Sequence, residues 1–159
     1  MQFVAIFARC LDLFVRSSFA TVRQKRHTRA AVTRSALSKK LNNDYKLVYV
    51  LVGDGELQEG QNWEAIMFAS GKKVDNLIAT IDLNGKQIDG KTDDVMPMGN
   101  IAIKFKAFGW VVIELNKGND LEAVIETLKF AKTKTGNGKP VVIIMQTEMG
   151  NGVDYMMHT

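Results

Sequence analysis

Three observations predict an α/β fold, a mostly parallel sheet with helices on both faces. Four apolar runs, "KLVYVLV", "NLIATID", "WVVIEL" and "VVIIMQ", lack the polar and apolar alternation of a sheet wetted on one side. Segments with helical periodicity separate them, as crossovers between parallel strands require. Turn residues punctuate the joins: Gly71 after one helical run and "GNGKP" before the last strand.

The elements follow in order from about residue 35. "SALSKKL" reads as a helix, residues 46–52 as a strand, and "EGQNWEAIMFASG" as a helix closed by Gly71. A strand over residues 76–82 leads to a polar loop from Asn84 to Thr92 and a short helix around "NIAIKFKAF". Strand "WVVIEL", helix "NDLEAVIETLKFAKT" with Asn119 as its capping residue, and strand "VVIIMQ" complete the series before a glycine-bearing tail. Trp63 and Trp110 fall within this apolar patterning and read as core, and "ETLKFAKTK" as a solvated helix face.

The chain has 159 residues, 46% of them apolar and 24% charged, which is enough to bury a core of single-domain size. One cysteine, Cys10, excludes an internal disulfide, and no Cys/His spacing points to zinc, so a reducing, cytoplasmic setting is expected. The net charge of +4 is uneven: residues 1–40 hold nine Lys/Arg against Asp12 alone, hence +8, and the remainder carries −4. "RQKRHTR" lacks interleaved aromatics or a base-reading motif, so nucleic acid is not an expected partner.

Residues 1–35 form a distinct basic leader, and residues 36–159 the α/β domain. Phe3, Phe7, Leu11, Phe14, Val15, Phe19 and Val22 recur at helical spacing beside Arg9, Arg16 and Arg23, which predicts an amphipathic helix over residues 2–23. No run approaches the length of a membrane span. The composition fits an organelle-targeting segment, an interfacial helix, or a helix packed on the domain.

Parallel α/β sheets bind ligands outside the carboxyl ends of their strands. Two loops there carry oxygen-bearing side chains: "LVGDGELQEG" after residues 46–52 and "DLNG" after residues 76–82. Gly53 and Gly55 permit close approach of the backbone, and Asp54 presents a hard carboxylate between them. A carboxylate repels a phosphate unless a Mg²⁺ or Ca²⁺ stands between them, and Asn84 offers a neutral oxygen for the same ion. One strand–helix–strand crossover brings two such positions to adjacent strand ends. Asp-Gly and Asn-Gly are each turn signals on their own. Their matching places in consecutive units favour the metal-diphosphate reading.

"GDGELQEGQNWEAIMFA", "DNLIATIDLNGKQIDG", "KFKAFGWVVIEL" and "GKPVVIIMQTEMGNGV" resemble the thiamine-diphosphate-binding section of transketolase, in particular the N-terminal subunit of split transketolases. The resemblance runs from about Ala36 to the end of the chain. It implies a metal held by Asp54, Asn84 and the main-chain oxygen of Lys86, with Gly55 and Asn84 on the cofactor's diphosphate. Glu59 matches a glutamate of an acid network near the family's subunit interface, and equally fits the first turn of a helix, where a carboxylate favours the dipole. Glu56 and Gln58 read as cap and surface residues.

The resemblance further implies transfer of a two-carbon ketol unit between sugar phosphates, as in the pentose phosphate pathway, with thiamine diphosphate as electron sink. The glutamate that activates the cofactor belongs to another domain, so a C-terminal transketolase subunit or a homo-oligomeric dimer is the expected partner. Family members also carry histidines and a "GSLGQG"-like loop ahead of the GDG strand. Here no glycine precedes Gly53, His27 and His158 stand outside such motifs, and the match ends short of the family's Trp-His-Gly segment. Residues 1–35 thus read as a replaced, truncated or out-of-frame start. The alternative function is a non-catalytic α/β module or interaction protein with at most weak diphosphate binding.

Overall fold

The computed structural model describes residues 28–87 and 90–153, with side chains from Val32 onward. Cys10, His27, His158 and the leader helix over residues 2–23 lie outside the described residues.

Helix α1 spans Thr28–Leu41, strand β1 Val48–Gly53, helix α2 Gly60–Gly71 and strand β2 Leu77–Leu83. A single 3-10 turn, Gly55–Gln58, joins β1 to α2. The short strands β3 (Lys86–Gln87) and β4 (Gly90–Lys91) then pair antiparallel, followed by α3 (Thr92–Val95) and α4 (Ile101–Ala107). Strand β5 (Val111–Leu115), helix α5 (Leu121–Thr133) and strand β6 (Val141–Gln146) complete the order.

The main sheet is parallel throughout, in the order β1-β2-β6-β5. Its register sorts alternate strand residues to opposite faces. Val48, Val50, Ala79, Ile81, Val142 and Ile144 face α1, α2 and α4 in one core cluster, while Tyr49, Ile78, Val141, Ile143 and Met145 face α5 in the other. Burial on both faces explains why the strands do not alternate in sequence. In the larger cluster the Phe105 ring lies between Trp63 and Trp110, with centroids at 5.9 and 5.3 Å. Both indoles also anchor backbone: Trp63 Nε1 donates to the Leu57 carbonyl at 2.7 Å and Trp110 Nε1 to the Ile66 carbonyl at 3.0 Å.

Three details differ from the sequence expectation. Helix α1 begins at Thr28 rather than residue 35, crossing the boundary drawn there and burying Val32 and Thr33. The segment from Asn84 to Thr92 is not a plain loop but contains the β3–β4 pair. The cap of α5 is Asp120, whose Oδ1 accepts from the Glu122 and Ala123 N–H groups, because the Asn119 carboxamide is engaged elsewhere. Among the described residues no helix is long and apolar enough to cross a membrane.

Candidate functional site at the strand ends

The β1–β2 pairing sets Gly53 opposite Asp82, so the loops leaving both strands start side by side. The Asp54 N–H donates to the Asp82 carbonyl at 3.1 Å. Asp54 itself is only 2% exposed. Its Oδ1 accepts from the Gly55 N–H at 2.7 Å, and its Oδ2 from the Gly85 N–H at 2.7 Å and the Thr92 hydroxyl at 3.2 Å. One buried carboxylate thereby gathers the GDG turn, the turn after β2 and the start of α3.

Asn84 lies in the same corner, its Oδ1 accepting from the Lys86 N–H at 2.9 Å. Asp82 at the end of β2 accepts from the Thr147 hydroxyl, which follows β6. Burial raises the Asp82 carboxyl above the ordinary carboxylate range; the Asp54 charge adds to this, against the hydrogen bonds from Thr147 and Asn84.

The turn that presents Asp54 is internally braced. Glu56 Oε2 reaches back to the Gly53 N–H at 2.8 Å, and the Asn62 carboxamide caps the Glu56 carbonyl. A Cβ at Gly53 would make only ordinary van der Waals contact, 3.8 Å from Glu56 Oε2. Gly55 is also packed closely by the protein: a Cβ there would meet Gln87 Oε1 at 3.0 Å and Gln87 Cβ at 3.1 Å. Gln58 is not a simple surface residue, because its Nε2 donates to the Met96 carbonyl at 2.9 Å and the Thr92 carbonyl at 3.3 Å, holding α3 against the turn. Glu59 caps α2 without a side-chain bond to the helix backbone and accepts from Gln61 Nε2 at 2.8 Å.

A cavity of about 540 Å³ opens over this corner, lined by Asp54, Gly85 and Thr92 at one end and Asn116, Gln146 and Thr147 toward β5 and β6. The helix after β1 covers one face of the sheet and the helix before β6 covers the other, so the cavity sits where the winding reverses. Gly53, Asp54, Gly55, Asn84 and Lys86 therefore stand at one end of the sheet. The sequence reading missed Gly85 and Thr92, which donate to Asp54, and Thr147, which donates to Asp82; no local signal marks a threonine that closes a turn 38 positions away.

The two adjoining turns carry one carboxylate, Asp54, and two neutral oxygens, Asn84 Oδ1 and the Lys86 carbonyl, and oxygen donors of this kind are what hard divalent cations take. Each Asp54 oxygen is held in place by donors on the protein side, as ligating carboxylates are. The residues present fit such an ion.

Fold and site define a parallel α/β domain of the ligand-binding class, with its pocket at the carboxyl ends of the strands. The chain belongs to the transketolase family: residues 22–158 match its thiamine diphosphate binding domain. It is 43% identical over 122 residues to an apulose-4-phosphate transketolase subunit from Phocaeicola vulgatus, covering 76% of this chain and 42% of that one. Identity to the 6-deoxy-6-sulfo-D-fructose transketolase subunit SqwG of Clostridium sp. (strain MSTE9) is 36% over 126 residues, covering 79% and 45%. The chain thus spans less than half the length of these relatives. Among solved structures, transketolase from Leishmania mexicana superposes with a TM-score of 0.65 at 31% identity, over 78% of this chain and 19% of that one. Transketolase from Campylobacter jejuni gives 0.64 at 32% identity, over 78% and 19%.

Proposed function

We infer that this chain contributes the diphosphate- and metal-binding half of a two-chain transketolase, which moves a two-carbon ketol unit between sugar phosphates. The observation that carries this reading is the Gly85 N–H bond to Asp54, which brings the GDG and DLNG turns into one corner on the cavity floor. Asp54, the Asn84 side chain and the Lys86 carbonyl would hold Mg²⁺ or Ca²⁺, and Gly55 and Asn84 would contact the diphosphate. Glu59, beside the turn, is placed in this reading at the contact with a partner subunit. The thiamine ring, when bound, supplies the electron sink for the ketol carbanion.

This chain's own part is to bind and orient. Its two strand-end turns fix the anionic end of the cofactor, and the buried carboxylate supplies the charge that a divalent cation must balance. The names of the relatives support a two-chain enzyme, since both are transketolase subunits named for modified sugars. A C-terminal transketolase subunit is accordingly the proposed partner, and the cytoplasm the proposed setting.

Isothermal titration of the full chain with thiamine diphosphate, with and without Mg²⁺ and with and without such a partner, tests the reading. Metal-dependent heat that disappears in Asp54→Ala and Asn84→Ala supports it. No metal-dependent binding in any mixture would leave the chain a non-catalytic α/β module.

A further inference from the structure

The turn between β5 and α5 holds the exit of β6 at three points. The Asn119 carboxamide accepts from the Glu148 N–H at 2.7 Å and donates to the Glu148 carbonyl at 3.5 Å, as a strand partner would. Beside it the Gly118 N–H donates to the Gln146 carbonyl at 2.9 Å. Gly118 is there because nothing larger fits: a Cβ would lie 2.5 Å from the Gln146 carbonyl oxygen and 2.7 Å from Thr147 Cγ2.

Between these points sits Thr147, whose methyl lies against Gly118 and whose polar groups face the other way, toward β2. Its N–H donates to the Leu83 carbonyl at 3.2 Å and its hydroxyl to the Asp82 carboxylate. Leu83 and Asp82 directly precede Asn84, and the Asp82 carbonyl receives the Asp54 N–H at 3.1 Å. Gln146 and Thr147 line the same cavity as Asp54 and Gly85. Hydrogen bonds joined by two short stretches of backbone, Thr147 to Glu148 and Asp82 to Asn84, therefore link Asn119 to both oxygen-bearing turns, although Asn119 is itself exposed and lines no part of the cavity.

We propose that Asn119, supported by Gly118, is a positioning residue for the metal-diphosphate corner, acting through Glu148 and Thr147 on the Asp82–Asn84 turn. This rests on the reading of that corner given above. Groups hydrogen-bonded directly to metal ligands typically alter metal affinity by about 10- to 100-fold when removed, and Asn119, acting through intervening backbone, stands at or below the low end of that range. An exposed asparagine at a turn, by contrast, contributes little to global stability.

The test uses the full chain, Mg²⁺ and thiamine diphosphate in isothermal titration, with Tm measured in parallel and amide hydrogen exchange followed without ligand. Asn119→Ala is expected to weaken metal-dependent binding about tenfold while Tm moves by no more than about 4 °C. Asn119→Asp retains the acceptor for the Glu148 N–H and is expected to restore most of the affinity. Gly118→Ala, which displaces Gln146 and Thr147, is expected to weaken binding independently. In the ligand-free protein, exchange at the Thr147 and Gly85 amides is expected to quicken in Asn119→Ala.

Parental affinity in Asn119→Ala, or an Asn119→Asp variant as weak as the alanine, overturns the proposal while leaving the metal-diphosphate reading standing. Unchanged exchange at Thr147 and Gly85 overturns it whether or not ligand binds. Absence of metal-dependent binding by the parent chain overturns both.

Discussion

The Gly85 N–H and the Asp54 carboxylate meet at 2.7 Å across 31 positions of sequence, and this contact closes the corner between β1 and β2. Asp54 also receives the Gly55 N–H and the Thr92 hydroxyl, so its removal leaves three donors without this acceptor, the Thr92 hydroxyl buried and the two N–H groups partly so. Each unsatisfied buried group costs about 1–3 kcal/mol, with partial relief where water enters from the cavity. Asp54→Ala is therefore expected to lower the unfolding free energy by about 2–4 kcal/mol without any ligand. Thr92→Val, which removes one donor at similar volume, should cost about 1 kcal/mol. Urea unfolding of the metal-free proteins checks both; equal stability of Asp54→Ala and the parent would contradict the network.

Gly55 offers a second, purely steric test. An alanine there meets Gln87 Oε1 at 3.0 Å and Gln87 Cβ at 3.1 Å, and only the first of these can swing away. Overpacking of this kind costs about 1–3 kcal/mol. Gln87→Ala on top of Gly55→Ala keeps the offending Cβ, so it should restore only part of the loss, whereas Gln87→Gly should restore most of it. A double-mutant cycle in urea measures the difference; identical rescue by both would show that the clash lies elsewhere.

Much of this architecture was legible in the sequence because strands buried on both faces write continuous apolar runs. "VVIIMQ" became β6 with its ends as expected, and the other three strands shifted by one or two residues. The placement of Asp54 beside Asn84's turn was legible too, since one crossover between neighbouring parallel strands leaves little choice. What stayed hidden depends on contacts made only in three dimensions. Asn119 and Asp120 are both good caps by residue type, and the choice fell to Asp120 because the backbone at Glu148 claims Asn119. Likewise nothing local announces that Gln87, 32 positions on, packs against Gly55.

The aromatic cluster under the helices gives a prediction with a built-in probe. Phe105 is 1% exposed and both tryptophans of the chain contact its ring. Truncating a buried phenylalanine costs about 3–5 kcal/mol through lost burial and the cavity it leaves. Phe105→Ala should therefore unfold at much lower urea, and its native tryptophan emission should shift to the red as water reaches Trp63 and Trp110. An unshifted spectrum with unchanged stability would mean that Phe105 does not pack as described.

Asp75, at the opposite end of the sheet from the cavity, controls a pH response separable from the site. It accepts from Lys40 Nζ at 2.7 Å and from the Gly138 N–H at 2.9 Å, tying α1 to the turn before β6. Burial works to raise its carboxyl, but the Lys40 bond, the Gly138 bond and the Lys40 charge outweigh it and hold the group below its ordinary value of 3.8. A depressed folded value means that the unfolded chain binds more protons in that window, so stability rises with pH across it. The contribution is complete above the unfolded value and is lost as pH falls through the folded one. Lys40 is partly exposed, with 37% of its side chain in solvent, which limits the effect to on the order of 1 kcal/mol. Asp75→Asn keeps an acceptor for Gly138 but loses the charge. Its stability deficit against the parent should be greatest near neutrality and shrink as pH drops below 3.8. Urea unfolding of both proteins across that range decides it: a deficit that stays constant with pH would assign Asp75 a role through hydrogen bonding alone.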